Sequence, residues 1–249
     1  MTGIRDSAVG QSQVEQAPKI GFFGKIPSHG DFVRRAFPSG LSKRWDGWLQ
    51  AGLTQSREAL GEDWLDVYLS SPIWRFCLSA GLCGESQWIG AMMPSVDRVG
   101  RYYPLTTVTE IPASRSLFGT ATIAASWLAP LEETMLATLE GDSLTAEELE
   151  IRLAALPPLI SPESPSKVTE RELTEREGIA AIQLADCMHL EDAPGLMADA
   201  LARHARGDFS LWWSNGSAHL LPSARLYTDL PPVELFWTLL GEQADAHSI

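Results

Sequence analysis

The chain is organised around Gly21-Phe22-Phe23-Gly24-Lys25-Ile26-Pro27-Ser28-His29-Gly30-Asp31-Phe32-Val33-Arg34-Arg35, a segment in which glycines, a proline and basic side chains surround a short apolar run. The apolar run from Ile20 to Phe23 predicts a short buried strand. Pro27 and Gly30 end it, because proline has no N–H to donate to a neighbouring strand and glycine readily adopts turn dihedrals. We therefore expect a strand that leads directly into a tight, positively charged loop.

This loop has some of the composition of a phosphate-binding turn. A glycine-rich turn after a strand can hold phosphate through its backbone N–H groups. The phosphate-loop motif, however, is G-x-x-x-x-G-K followed by Ser or Thr. Here only two residues separate Gly21 from Gly24, and Ile26 follows Lys25. The spacing argues against a nucleotide site.

The same loop contains the three residue types of a hydrolytic triad, Ser28, His29 and Asp31. A triad needs side chains that converge in one line of hydrogen bonds, and neighbouring residues of a loop normally point in different directions. A turn in which Asp31 binds nearby backbone amides explains the residues without catalysis. The alternative is an enzyme that acts on a phosphorylated or acylated substrate through Lys25, His29 and Asp31. It predicts a concave pocket at this loop and a strongly shifted pKa there.

A second unusual stretch is Met93-Pro94-Ser95-Val96-Asp97-Arg98-Val99-Gly100-Arg101-Tyr102-Tyr103-Pro104-Leu105. It predicts a turn rich in charged and aromatic side chains. Arg98 and Arg101 either form a fork that binds an anion or pair with Asp97 and nearby carboxylates to hold the loop.

Composition indicates a globular protein. The chain has 249 residues and 45% hydrophobic residues, which is enough for a substantial core. No apolar run approaches the roughly 20 residues that span a bilayer, and residues 1–18 lack the apolar centre of a signal peptide. We therefore expect a cytoplasmic protein without membrane insertion.

The formal net charge is −13, and residues 111–249 carry eight basic against 21 acidic side chains. Nucleic acid and anionic membranes repel a chain of this sign, so neither is an expected partner. The basic N-terminal loop can still meet an acidic or phosphorylated protein surface.

Cysteines and histidines show no metal-site spacing. The three cysteines form no C-x-x-C pair, and the five histidines are scattered along the chain. We predict reduced cysteines and neither a metal nor a cofactor.

Apolar spacing and turn residues predict the remaining elements. The predicted helices run from a cap at Ser39 to Leu60, over 120–140 with a kink near Pro130, from a cap at Ser143 or Thr145 to 156, from 194 to 204 and over 231–240. The predicted strands are 73–78 with its antiparallel partner 87–93, then 105–111, 179–184, and a hairpin of 209–213 with 218–221 that turns at Asn215-Gly216. This interleaving predicts an α/β layered fold with a mixed, partly antiparallel sheet.

The expected domain organisation is a flexible tail over residues 1–18, a single α/β domain over 19–243 and a short tail over 244–249. Within the domain, residues 19–142 carry both unusual stretches, and residues 143–243 supply helices and a hairpin.

Two motifs in this order resemble the TagF family, also called ImpM, of proteins associated with bacterial type VI secretion. They are G-x-x-G-K-x-P-x-x-G-D-F at 21–32 and M-P-S-V-D-R-V-G-R-Y-Y-P-L at 93–105, with Trp74-Arg75-Phe76 between them. The resemblance covers about residues 19 to 112, and Ser210-Leu211-Trp212-Trp213 is the main similarity beyond.

The resemblance implies a three-layer α/β/α sandwich and a cytoplasmic regulator rather than an enzyme. Members of the family are understood to repress the secretion machine after translation, some by engaging a forkhead-associated scaffold protein. The resemblance supplies no catalytic residues. A structural assembly component of the secretion system is the alternative.

We expect the two stretches to form or border a protein-binding surface, because arginine and tyrosine favour interface cores. The competing interpretation is that their glycines and prolines only shape two turns that pack against each other. The candidate residues are Lys25, His29, Asp31, Arg34, Arg35, Asp97, Arg98, Arg101, Tyr102 and Tyr103.

Overall fold

A computed structural model describes residues 19–112, 115–141, 144–159, 174–176, 179–181 and 193–241. The tails expected over 1–18 and 244–249 lie outside the described residues, as does the second half, 182–184, of the strand expected over 179–184. The strands are β1 (Gly21–Gly24), β2 (Val33–Arg35), β3 (Trp74–Leu78), β4 (Gln87–Met93), β5 (Leu105–Ile111), β6 (Thr174–Arg176), β7 (Ile179–Ala181), β8 (Ser210–Ser214) and β9 (Ser223–Tyr227). The helices are α1 (Ser39–Leu60), α2 (Trp64–Leu69), α3 (Leu117–Ile123), α4 (Ala125–Leu136), α5 (Ala146–Ala154), α6 (Ala193–Arg206) and α7 (Trp237–Leu240).

The main sheet has seven strands in the order β2-β1-β5-β4-β3-β8-β9, and β6 pairs with β7 separately. Every described pairing is antiparallel, so the mixed sheet predicted from the sequence is wrong. The prediction treated the intervening helices as crossovers between parallel neighbours. In the structure the helical connections join β2 to β3 and β5 to β8, and neither of these pairs lies side by side.

Helices cover both faces of the sheet, which confirms the α/β class and its three layers. One buried cluster joins alternate strand residues such as Phe76 and Trp212 to α1, α2 and the 233–240 segment. The other joins the opposite strand faces, such as those of Ile89 and Met93, to α3, α4 and α5. Alternation along each strand sends successive side chains into opposite layers.

The long amphipathic helix predicted from Ser39 is confirmed as α1. Its tryptophans Trp45 and Trp48 are buried and contact the Trp212 ring at centroid distances of 5.8 and 5.4 Å. Pro38, rather than Ser39, is the N-terminal cap residue, and it makes no side-chain capping bond. The α1 tryptophans therefore anchor one helical layer on the sheet.

The helix predicted over 120–140 is two helices, and the break lies at Ala124 rather than at Pro130. Pro130 lies inside α4. Ala124 is fully buried, donates its N–H to Thr120 and accepts from Trp127 and Leu128. A buried turn with near-helical dihedrals, and not the proline, separates α3 from α4.

The hairpin of β8 and β9 exists, but its second strand begins at Ser223 instead of residue 218. Residues 215–222 form a longer connection in which Ser217 and Leu220 make an isolated bridge. Leu220 is buried while Leu221 is exposed. The apolar pair suggested a strand in the sequence, but only one of the two leucines is buried. The last helix is likewise shorter than predicted, because residues 233–235 form a 3-10 turn before α7.

Across the helices that the structure describes, none is both long and apolar enough to cross a membrane.

Candidate functional site

The two unusual stretches meet at one end of the sheet. We call residues 25–32 the β1–β2 loop and residues 94–104 the β4–β5 loop. The Arg98 N–H donates to the His29 carbonyl at 2.9 Å, and the Ser95 hydroxyl donates to the Lys25 carbonyl at 2.7 Å. The Arg101 guanidinium also donates to the Gly30 carbonyl. The β4–β5 loop therefore binds the backbone of the β1–β2 loop at several points.

Asp97 is the centre of this contact. Its Oδ2 accepts from Lys25 Nζ at 2.8 Å and from Arg101 Nε at 2.7 Å. Its Oδ1 accepts from the backbone N–H groups of Val99 at 3.0 Å and Arg101 at 2.9 Å. The Asp97 side chain is 0% exposed and that of Lys25 is 7% exposed. A buried carboxylate with these donors joins the two motifs.

Burial by itself would raise the pKa of Asp97. The hydrogen bonds from Lys25, Arg101 and Val99 outweigh burial and hold that pKa well below its ordinary range. Asp97 is therefore ionised at neutral pH. The sequence allowed the arginines either to bind an anion or to pair with Asp97. Arg101 pairs with Asp97. Arg98 contacts the β1–β2 loop through its backbone, and its guanidinium lies beside Gly30.

An aromatic layer flanks the ion pair. The ring of Phe32 stacks on Phe23 with centroids 5.6 Å apart and meets Tyr103 edge-on at 4.8 Å. Lys25 Nζ lies 5.1 Å from the Phe32 centroid. The Tyr103 hydroxyl donates to Asp46 on α1 at 2.7 Å, and burial followed by this bond raises the pKa of Tyr103. Tyr103 therefore supports the loop contact from within.

Sequence reasoning missed the contribution of Tyr68 on α2. Its hydroxyl donates to the Ser95 carbonyl at 2.8 Å and accepts from the Ser95 N–H at 3.0 Å. Tyr102 packs edge-on against Tyr68 and Trp64. No local pattern signalled these contacts, since Tyr68 lies in the short helix α2, far from Ser95 in the sequence. The β4–β5 loop is thus held by α2 as well as by the β1–β2 loop.

The neighbouring basic residues of β2 differ in their surroundings. Arg35 pairs with Glu147 at 2.8 Å and Glu150 at 3.5 Å, which ties β2 to α5. Arg34 donates to the Phe37 carbonyl at 3.1 Å. Strand β2 was not expected from the sequence, because only three residues pair at this edge of the sheet.

Ser28, His29 and Asp31 do not form a triad. Ser28 Oγ donates to the Leu144 carbonyl at 2.6 Å and lies 2.9 Å from His29 Nδ1, which leaves it the acceptor in that second contact. Asp31 accepts from the N–H of Phe32 at 2.8 Å, as expected for a local turn. Ser28 and His29 therefore contact each other, but Asp31 binds a backbone N–H, so the three side chains do not form one line of hydrogen bonds.

The described part of the chain contains two buried cysteines and no cluster of metal-ligating side chains. Burial raises the pKa of Cys83 to about 11 and that of Cys77 well above its ordinary value, so neither thiol ionises at neutral pH. Cys187 lies outside the described residues. Among the residues that the structure describes, no group of three or more His, Cys, Asp and Glu side chains could hold a metal ion.

Comparison with known proteins agrees with the resemblance of the two motifs. Residues 21–156 match the model of the TagF N-terminal domain, described as type VI secretion system-associated. The crystal structure of PA0076 from Pseudomonas aeruginosa PAO1 superposes with a TM-score of 0.74 at 34% sequence identity, covering 93% of this chain and 98% of that one. No curated protein matches the chain. The matched region contains both loops joined by Lys25 and Asp97, and the chain belongs to the TagF family of type VI secretion system-associated proteins.

Proposed function

We propose that this protein is a cytoplasmic accessory factor that represses type VI secretion after translation by binding a forkhead-associated scaffold protein of the same system. The observation that carries the proposal is the family match over residues 21–156, which includes both motif loops. Association with type VI secretion follows from the family. The repressor role and the partner are the proposed steps.

The geometry of the loops supports protein binding rather than catalysis. Lys25, Asp97 and Tyr103 are occupied in holding the loops together. Arginine and aromatic side chains nevertheless remain on the surface of the same loops, and these residue types are enriched in interface cores. A loop pair held by buried contacts presents such side chains with little ordering cost on binding.

The same contacts weigh against an enzyme acting through Lys25, His29 and Asp31. The Lys25 ammonium is committed to Asp97, and Asp31 binds the N–H of its neighbour. The shifted pKa values at this site belong to Asp97 and Tyr103, and both have structural causes: hydrogen bonds from Lys25 and Arg101 lower the pKa of Asp97, and burial with the bond to Asp46 raises that of Tyr103. We therefore propose a non-catalytic role.

Secretion of the type VI tube protein tests the repressor role. We expect secretion to rise in cells that lack this protein and to fall in cells that overproduce it. The intracellular amount of tube protein, measured by immunoblot, should stay constant, because repression is proposed to act after translation. Secretion that vanishes on deletion would instead identify an assembly component. Secretion that changes in neither strain would exclude both roles.

Affinity capture tests the partner. Purified full-length protein should retain the purified forkhead-associated scaffold protein from the same bacterium. Absence of binding would exclude this partner while leaving the secretion result to stand by itself.

A further inference from the structure

Two apolar side chains are exposed at the loop contact. Phe32 is 44% exposed although one face of its ring stacks on Phe23, and Val99 is 65% exposed. Both residues are tied to the same buried ion pair, Phe32 through the Lys25 ammonium near its ring and Val99 through its N–H bond to Asp97. They are therefore neighbours on a fixed part of the surface.

Arginine side chains surround these apolar groups. Arg98 precedes Val99 and places its guanidinium beside Gly30. Arg101 keeps 57% of its side chain exposed while it binds Asp97. Arg34 follows Phe32 by two residues and pairs across the strands with Phe23, which puts it on the sheet face where Phe32 stacks. We call the set Phe32, Arg34, Arg98, Val99 and Arg101 the Phe32 patch.

The charge of the patch is opposite to that of the whole chain. The patch contributes three guanidinium groups, and the buried Asp97 beneath it is already shared by Lys25 and Arg101. Asp31 is the exposed carboxylate within the β1–β2 loop, and it accepts a local backbone N–H. The patch is a local cationic surface on a protein of net charge −13. Since nucleic acid and anionic membranes carry extended negative charge, the rest of the chain repels them, whereas one acidic protein segment can approach the patch alone.

The patch is also rigid for a loop surface. The Ser95 backbone is held in both directions by the Tyr68 hydroxyl, and the Tyr103 ring beneath Phe32 is fixed by its bond to Asp46. Preorganised arginine and aromatic side chains lose little conformational entropy when a partner docks.

We infer that the Phe32 patch is the docking surface for an acidic segment of the scaffold protein. Carboxylates of that segment pair with Arg98 and Arg34, while an apolar side chain covers Phe32 and Val99. The inference rests on the proposed function, because the scaffold is the partner proposed above.

Substitutions that reverse charge or add it at exposed positions test this surface without opening a cavity. Val99→Glu and Arg98→Glu place a negative charge within the patch. Ile123→Glu is the matched control for Val99→Glu, because Ile123 is 60% exposed and lies on α3 in the opposite helical layer. Arg206→Glu, in the exposed last turn of α6, is the matched control for Arg98→Glu. Circular dichroism during thermal unfolding verifies that each variant is folded like the wild type.

The Kd for the purified scaffold protein is then measured by calorimetry with the full-length chain. We expect Val99→Glu and Arg98→Glu to raise the Kd by about tenfold or more, as substitutions at the centre of an interface do. Each control should change it by less than about threefold, as for substitutions outside an interface. Arg98→Lys keeps the positive charge and should bind more tightly than Arg98→Glu. Raising the salt concentration should weaken the wild type more than Arg98→Glu, because it screens the pairing that the variant lacks.

The possible outcomes test the proposed partner and the proposed docking surface independently. A wild type that fails to bind the scaffold overturns the proposed partner and this inference with it. A wild type that binds while both patch variants bind equally well overturns the surface alone. Wild-type self-association that Val99→Glu abolishes, with scaffold binding unchanged, assigns the patch to contacts between copies of this chain and also overturns the inference.

Discussion

Asp97→Asn removes the negative charge at the centre of the loop contact and preserves the shape of the side chain. The bonds from the N–H groups of Val99 and Arg101 survive, because an amide oxygen still accepts them. At the other carboxylate position an NH2 group replaces an oxygen. This donor then faces two donors, Lys25 Nζ and Arg101 Nε, which lie 2.8 and 2.7 Å from Oδ2 in the wild type.

The cost follows from the burial of Lys25. Its side chain is 7% exposed, so Asp97→Asn leaves a buried ammonium without a counter-charge, and breaking a buried pair in this way lowers the free energy of unfolding by about 3–5 kcal/mol. Lys25→Met should cost about 1–3 kcal/mol, because Arg101 still neutralises Asp97. The double variant should be more stable than Asp97→Asn alone, since it no longer contains the unpaired ammonium.

Urea unfolding followed by tryptophan fluorescence measures all three variants. Glu148→Gln is the control, because its pair with Arg152 is exposed, and exposed pairs contribute less than about 1 kcal/mol. Strict additivity of the two single substitutions, or wild-type stability of Asp97→Asn, would refute the assignment of the pair as the link between the loops.

Three further outcomes follow from the same contacts. The stability difference between wild type and Asp97→Asn should be largest at neutral pH and shrink as the pH falls below 3.8, the ordinary pKa of this carboxyl. Below that pH the unfolded chain binds a proton on Asp97, whereas the native carboxyl, whose pKa is depressed, does not. A stability difference that does not change with pH in urea unfolding at acidic pH contradicts this. Tyr68→Phe leaves the buried N–H of Ser95 without its partner, while the Ser95 carbonyl keeps the N–H of Tyr103, and it should lower the free energy of thermal unfolding by about 1–3 kcal/mol. Gly24→Ala should prevent correct folding, judged by soluble yield, because at φ 145° its Cβ would lie 2.2 Å from a backbone oxygen of the β4–β5 loop. Gly47→Ala on α1, where a Cβ meets nothing within 4 Å, should instead be neutral or stabilising.

Much of the secondary structure was predictable because its signals are local. The spacing of Leu41, Trp45 and Trp48 is helical, and α1 buries those residues. The antiparallel pair of β3 and β4 and the strand β5 were correctly placed. Thr145 caps α5 by accepting from the N–H of Glu148. In each of these elements the residues that set the conformation lie within a few positions of one another.

Errors occurred where distant packing determined the conformation. Pro130 suggested a kink, but the helix continues through it and breaks at the buried Ala124. Strand order could not be predicted from the sequence either, because β1 pairs with β5 across more than 70 residues of intervening chain. Local periodicity carries no information about which strands become neighbours.

In the candidate site, too, the sequence predicted local features and missed contacts between residues far apart in the chain. Sequence identified both loops and offered the pairing of Arg101 with Asp97 as one of two alternatives. It did not indicate that Lys25 shares that carboxylate, that Tyr68 holds Ser95, or that Phe32 lies exposed at the contact.

By itself, the sequence determined the α/β class, the position of the two motif loops, the acidic charge and the family resemblance, because these depend on composition and on residues close together in the chain. Only the tertiary structure decided which motif residues are buried and which face solvent. Lys25 and Asp97 are 72 residues apart, and their contact exists only because the sheet places the ends of β1, β4 and β5 together. Burial gives that pair its energetic importance, and burial is a property of the assembled layers rather than of any segment.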